Sequence, residues 1–152
     1  MTTTDCAYFF KGKRKDNGEW VAGNHQHKKV PTCLEPKPSD YERVSFICDD
    51  ELGSLPFEVI PETVGMWNGL EDDFGAYFFT GDIIECCNSA AHDLNWGLEK
   101  VIRGVLVLIS GQFSLKVYQK GKAPVYLDHW LNAEKKEVLG NVHDEPELLN
   151  QE

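Results

Sequence analysis

Positive charge is missing from the middle of this chain. Between Val44 and Glu99 there is no lysine and no arginine, against twelve acids: Asp49, Asp50, Glu51, Glu58, Glu62, Glu71, Asp72, Asp73, Asp82, Glu85, Asp93 and Glu99. Eight bases and six acids precede that stretch, and seven of each follow it. The net charge of −10 therefore originates in the central segment and not in a solubilising tail. Such a segment repels phosphate, because counterion release works only for cationic surfaces. The sequence thus argues against direct nucleic-acid binding.

Long apolar runs are also absent. None exceeds five residues, as in Val105–Ile109, which falls far short of a membrane span. The opening MTTTDCAYFFKGKRK has an acid at Asp5 and no apolar stretch of signal-peptide length. The expectation is a cytoplasmic protein of the host cell, with no membrane partner. Five cysteines (Cys6, Cys33, Cys48, Cys86 and Cys87) are an odd number with no C-x-x-C pair, which predicts reduced thiols. His25, His27 and Cys33 lack the second ligand pair of a structural zinc site, so no metal and no cofactor is expected. Asp49-Asp50-Glu51 lacks the alternation of an oxygen cage.

Catalytic signatures are missing as well. There is no G-x-S-x-G elbow, no phosphate-binding G-x-x-x-x-G-K-S/T and no H-E-x-x-H. His92-Asp93 and Asp128-His129 are sequence neighbours and cannot face one another as a catalytic pair. A histidine base with a distant serine or cysteine is left open by sequence, Cys86 with His92 or His143 being one such combination, and the chain is read as non-enzymatic.

What is present reads as β structure. The 152 residues, 41% hydrophobic, suffice for one domain with a core, 1–152. Around residues 59–84, short β-branched and aromatic runs alternate with Pro61, Asn68-Gly69 and the Asp72–Gly75 turn former, predicting antiparallel strands. Asp16-Asn17-Gly18 and Ser110-Gly111 predict two hairpins, the first with a cationic tip at Lys11, Lys13, Arg14 and Lys15. Arg103-Gly104-Val105 opens a strand expected to be central. Pro31, Pro36 and Pro38 predict a flexible loop over 24–42. A short helix is predicted over 88–99 and helix-like spacing over 125–131, with a closing helical turn that starts at Pro146. The fold class expected is mainly β, bordering on α+β: a small SH3-like or partly open β-barrel, or a packed sandwich, with one or two short helices.

Three blocks in order carry a family resemblance. FKGKRKDNGEWVAG (10–23) is similar to an opening hairpin, VIPETVGMWNGL followed by TGDII to a central signature, and EVLGNVHDEPELL (137–149) to a closing segment. Together they resemble the YopX-like proteins of phages and prophages. The chain departs from that pattern in the turn, where Phe74-Gly75 replaces Asn-Gly, and over 88–103, which reads as an insertion. The resemblance implies a phage or mobile-element setting and no particular activity.

The functional expectation joins that setting to the charge. Basic clefts mostly serve nucleic acid, so an acidic face (44–99) suits a basic host protein that handles nucleic acid, such as a defence nuclease or its RNA-loaded complex. This is an anti-CRISPR-like mimicry of nucleic acid. Asp49, Asp50, Glu51, Glu71, Asp72 and Asp73 are the contacts expected, since turns are exposed, with Trp96 as the aromatic anchor and Trp67 assigned to the core. The alternatives are a small nucleic-acid-binding or DNA-metabolism accessory module and a homo-oligomerising structural protein. Self-association would pair the basic first hairpin with the acidic centre.

Overall fold

The computed structural model describes residues 9–49, 55–87, 101–119, 121–128 and 130–149. Strands outweigh helical turns by 60% to 8%, and they form two antiparallel sheets, neither closed into a barrel. The mainly β class with few short helical turns holds, and of the arrangements expected a fully closed barrel is not what forms. No ladder joins the end strands of either sheet among the described residues; the first sheet comes nearest to closing at an isolated bridge between Arg14 and Val59 of its end strand. The chain divides into two compact units, Met1–Met66 and Trp67–Glu152.

In the first unit, β1 (Phe10–Lys13) and β2 (Trp20–Pro31) form the predicted hairpin, and β3 (Tyr41–Asp49) and β4 (Leu55–Val59) extend the ladder. The start of β5 (Gly65–Glu71) pairs with β1 through Gly65 and Met66. Val21, Ile47 and Val59 make a small core on one face, with Phe10, Phe57 and Val64 against it. Only part of the loop expected over 24–42 is a loop. Asn24 to Pro31 pair residue by residue with β3, and Pro31 tolerates this because it ends the strand, opposite Tyr41. The remaining 32–40 loop is closed by Asp40, whose carboxylate accepts the Lys37 N–H at 3.0 Å and whose carbonyl accepts the Thr32 N–H at 2.9 Å.

In the second unit, the rest of β5 pairs with β6 (Tyr77–Phe79). A five-stranded sheet follows in the order β10-β9-β8-β7-β11, built from β7 (Asp82–Cys87), β8 (Val101–Ile109), β9 (Gln112–Val117), β10 (Val125–Leu127) and β11 (Lys135–Asn141). As expected, β8 is central and Ser110-Gly111 turns it into β9. Both turn residues have positive φ, 51° and 79°, as a tight two-residue hairpin demands. The core gathers Phe78, Ile84, Cys86, Ile102, Leu106, Leu115 and Trp130, with the Phe78 and Trp130 rings edge to face at 5.0 Å. Residues 125–131 are not one helix. Val125–Leu127 adds a strand to β9, and only Trp130–Asn132 makes a 3-10 turn, which sinks Trp130 fully into the core. A second such turn, Pro146–Leu149, starts at Pro146 as predicted. The helix predicted over 88–99 lies outside the described residues; of the 88–103 segment, Val101 to Arg103 begin β8.

Candidate functional site

The β5–β6 hairpin of the second unit carries the densest set of sequence candidates. Asn68-Gly69 does not make the hairpin turn. It makes an irregularity within β5, where Gly69 has φ 93° and the Asn68 side chain accepts the Leu70 N–H at 2.9 Å. The chain reverses at Asp72–Gly75. Asp72 Oδ1 accepts the N–H groups of Phe74 and Ala76, both at 2.8 Å, and the Asp72 N–H reaches the Ala76 carbonyl at 2.7 Å.

The same turn is stitched to β11, the end strand of its sheet. Asp72 Oδ2 accepts the Val138 N–H at 2.9 Å, and Asp73 Oδ2 accepts the Lys136 N–H at 3.1 Å. Two carboxylates thereby cap alternate N–H groups on a strand edge that would otherwise invite pairing. Burial raises the Asp72 carboxyl, but the N–H groups of Val138, Ala76, Phe74 and Gly75 outweigh that and hold its pKa below the usual value. The sequence placed Asp72 on an exposed turn; it is 8% exposed, because its oxygens organise the turn and the edge.

Beside the exposed Glu71 and Asp73 the turn presents apolar groups. Phe74 stands 77% exposed at its tip, with Leu70 and Tyr77 exposed behind it. Trp67 is half-buried, stacked on Tyr77 with centroids 4.5 Å apart and 14° between planes. The Trp67 indole donates to the Leu70 carbonyl at 2.7 Å, which fixes the ring. Glu71 is exposed at the same turn. Sequence reasoning did not single out Phe74 as an exposed residue. Its signal was available as a bulky aromatic where a turn former belongs.

Other acids of the central segment are also engaged. Asp82 is buried and accepts the Phe79 N–H at 2.9 Å and the Asn141 amide at 3.1 Å. Within the first unit Glu58 pairs with Lys15 at 3.0 Å, and within the second Glu85 pairs with Arg103 at 2.8 Å. Glu62 and Glu71 are exposed. Asp49 lies on β3 opposite Leu55, and Asp50, Glu51 and Trp96 fall outside the described residues.

Two chemical alternatives meet the geometry differently. Burial pushes the Cys86 thiol up to about 12, and its sulfur sits 3.9 Å from the Trp130 carbonyl, so it remains a protonated core group and not an activated nucleophile. His25 and His27 lie on one face of β2 with ring centroids 4.4 Å apart, and no group of three or more metal-ligating side chains occurs among the described residues. No helix among those residues is long and apolar enough to cross a membrane.

Comparison with known proteins places the chain. No curated protein matches it. Protein EF1440 from Enterococcus faecalis, known from its crystal structure, is similar at 18% identity over 94% of this chain and 98% of that one, with a TM-score of 0.44. A family model described as YopX protein matches residues 10–150, which takes in all three blocks of the sequence resemblance. The chain belongs to the YopX protein family.

Proposed function

We propose that this chain acts without catalysis, by docking the β5–β6 turn onto a basic host protein that handles nucleic acid, such as a defence nuclease. Family membership suggests a phage-type accessory protein, which supplies the setting. The observation that carries the reading is Phe74, a large apolar side chain held 77% exposed on a turn whose backbone is fixed by Asp72 and Asp73. Aromatic anchors on rigid scaffolds dominate interface energies, since little conformational entropy is lost when they dock. Glu71 and Asp73 beside it favour a pocket rimmed by lysine or arginine. The acidic segment then steers association, and the turn supplies the contact.

The test is a titration of the full chain against an immobilised guide-RNA-loaded defence nuclease over a salt series. Wild-type protein should bind more weakly as salt rises. Phe74→Ser should weaken binding about 30-fold, the scale of an interface hot spot. Glu71→Lys should slow association mainly. Affinity indifferent to salt and to both substitutions sinks the proposal.

A further inference from the structure

Strand β2 sets two imidazoles side by side in the first unit. His25 and His27 are two residues apart, so their side chains leave the same face of the sheet about 6.7 Å apart along the backbone. Residue-for-residue pairing with β3 fixes both positions, His25 opposite Ile47 and His27 opposite Ser45. The two ring centroids lie 4.4 Å apart with 74° between planes, and the Phe10 ring centroid lies 5.4 Å from that of His25. His27 is exposed and His25 half-buried, so the pair sits where the Val21, Ile47 and Val59 core meets solvent.

Each ring has a nitrogen to spare. His27 Nδ1 lies 3.3 Å from Ser45 Oγ. With the proton on Nδ1, that nitrogen donates to Ser45 and Nε2 keeps its lone pair. His25 Nε2 is buried and has no hydrogen-bond partner, a costly condition that calls for a ligand. Burial and then the proximity of His27 lower the His25 pKa, so at neutral pH its ring is in the uncharged form that ligates.

We infer that His25 and His27 bind one divalent transition-metal ion through Nε2 of each ring, with water completing the coordination sphere. Imidazole suits nickel, copper and zinc, and the spacing selects among them. Two imidazoles bound at a right angle, each nitrogen about 2.0 Å from the ion, hold their centroids about 4.4 Å apart, whereas a tetrahedral angle requires about 5.1 Å. The observed separation matches the right angle, which nickel(II) and copper(II) favour and zinc does not. His25 Nε2 is shielded from solvent, so capture begins at His27 and is completed as the His25 ring turns about its Cβ–Cγ bond, a rotation that barely moves the centroid. The sequence argument against structural zinc concerned four protein ligands and does not bear on an open site of two. Lys29 and Arg43 are the next pair along the same face, and their positive charge limits the affinity.

The experiment is calorimetric titration of nickel(II) into the full chain without an affinity tag, nickel being chosen because copper(II) oxidises exposed thiols such as Cys33. One ion per chain is expected. His27→Gln, at an exposed position that does not threaten folding, should weaken binding by at least about 10-fold, and so should His25→Gln. Ser45→Ala, which frees the His27 tautomer, should weaken it about 10-fold. Cys33→Ser should leave it unchanged. Nickel should raise the thermal midpoint of the wild-type protein and not that of His27→Gln. Absence of saturable binding overturns the inference. So does indifference of binding to His27→Gln, or zinc binding more tightly than nickel, which would contradict the right-angled geometry.

Discussion

Replacing Asp72 by Asn tests whether its carboxylate is structural. In the native turn one oxygen serves Phe74 and Ala76, and the other serves Val138 across the sheet edge. The amide can keep two of these bonds through its oxygen, but its NH2 group then faces the Val138 N–H, donor against donor. One charge-assisted bond is lost, a term of about 1.5–3 kcal/mol, and the Val138 N–H is stranded beside a packed edge. A net loss of about 2 kcal/mol is expected, a large part of the roughly 5–15 kcal/mol that holds a domain together. With a urea m-value near 2 kcal/mol per M, the midpoint should fall by about 1 M, read by far-ultraviolet circular dichroism at neutral pH. The pH dependence follows from the direction of the shift. A carboxyl whose folded pKa is depressed stabilises the fold fully above its unfolded pKa, near the ordinary 3.8, and loses that contribution as pH falls through the lower folded value. The variant lacks the contribution at every pH, so the gap between the two proteins should be full at neutral pH and narrow below about pH 4. Equal stability at neutral pH, or a gap that stays constant into acid, refutes the assignment.

Other predictions concern packing and reactivity. Gly104→Ala should cost about 1–3 kcal/mol, because its new Cβ would sit 2.7 Å from both Leu115 Cγ and the Lys116 carbonyl oxygen, and backbone cannot swing aside. Gly140→Ala should cost under about 1 kcal/mol despite a 2.6 Å approach, because the atom met first is the end of the exposed Glu145 side chain. Urea midpoints distinguish the two, and a reversed order would show that the sheet relaxes differently from this account. Iodoacetamide on the native protein, mapped by mass spectrometry, should modify exposed Cys33 and spare Cys86, whose buried thiol with a pKa of about 12 is almost wholly protonated at neutral pH. Comparable labelling of both would place Cys86 in a different environment. Asp73→Asn should cost less than about 1 kcal/mol, since Asp73 is exposed and its side chain accepts one hydrogen bond, from Lys136.

Much of the fold was legible where local chemistry decides it. Ser110-Gly111 can hardly be anything but a tight reversal between two alternating strands, and β8 and β9 flank it as read. Cys86 and Cys87 alternate between core and half-buried positions as strand neighbours must. Reading failed where a distant partner decides. The prolines argued against structure over 24–42, but β3 supplied a full ladder to Asn24–Pro31. Tyr126, Leu127, Trp130 and Leu131 have helical spacing, yet β9 recruited Val125–Leu127 first. At the candidate site, Asp72 could not be read as buried, because the donor that buries it, Val138, is 66 residues away. Phe74 was legible as an oddity but not as a surface, since exposure depends on what the rest of the chain leaves uncovered.

A count of carboxylates conflates two quantities that the structure separates. Asp72, with both oxygens bonded to backbone N–H groups and its pKa depressed, keeps its charge and adds to the protein's long-range potential, but it is buried and offers a partner little direct contact. Glu58 and Glu85 sit beside Lys15 and Arg103, so their fields are largely cancelled at any distance beyond the pair. A residue that contributes to long-range steering therefore need not be one that can make a contact. Association rates respond to total charge and to salt, whereas residence time responds to what is buried at the interface. If the β5–β6 turn is the docking element, reversing an exposed acid such as Glu71 changes the on-rate, and truncating Phe74 changes the off-rate. A true charge decoy would show the opposite, with Phe74 silent and the lifetime of the complex falling as carboxylates are removed one by one.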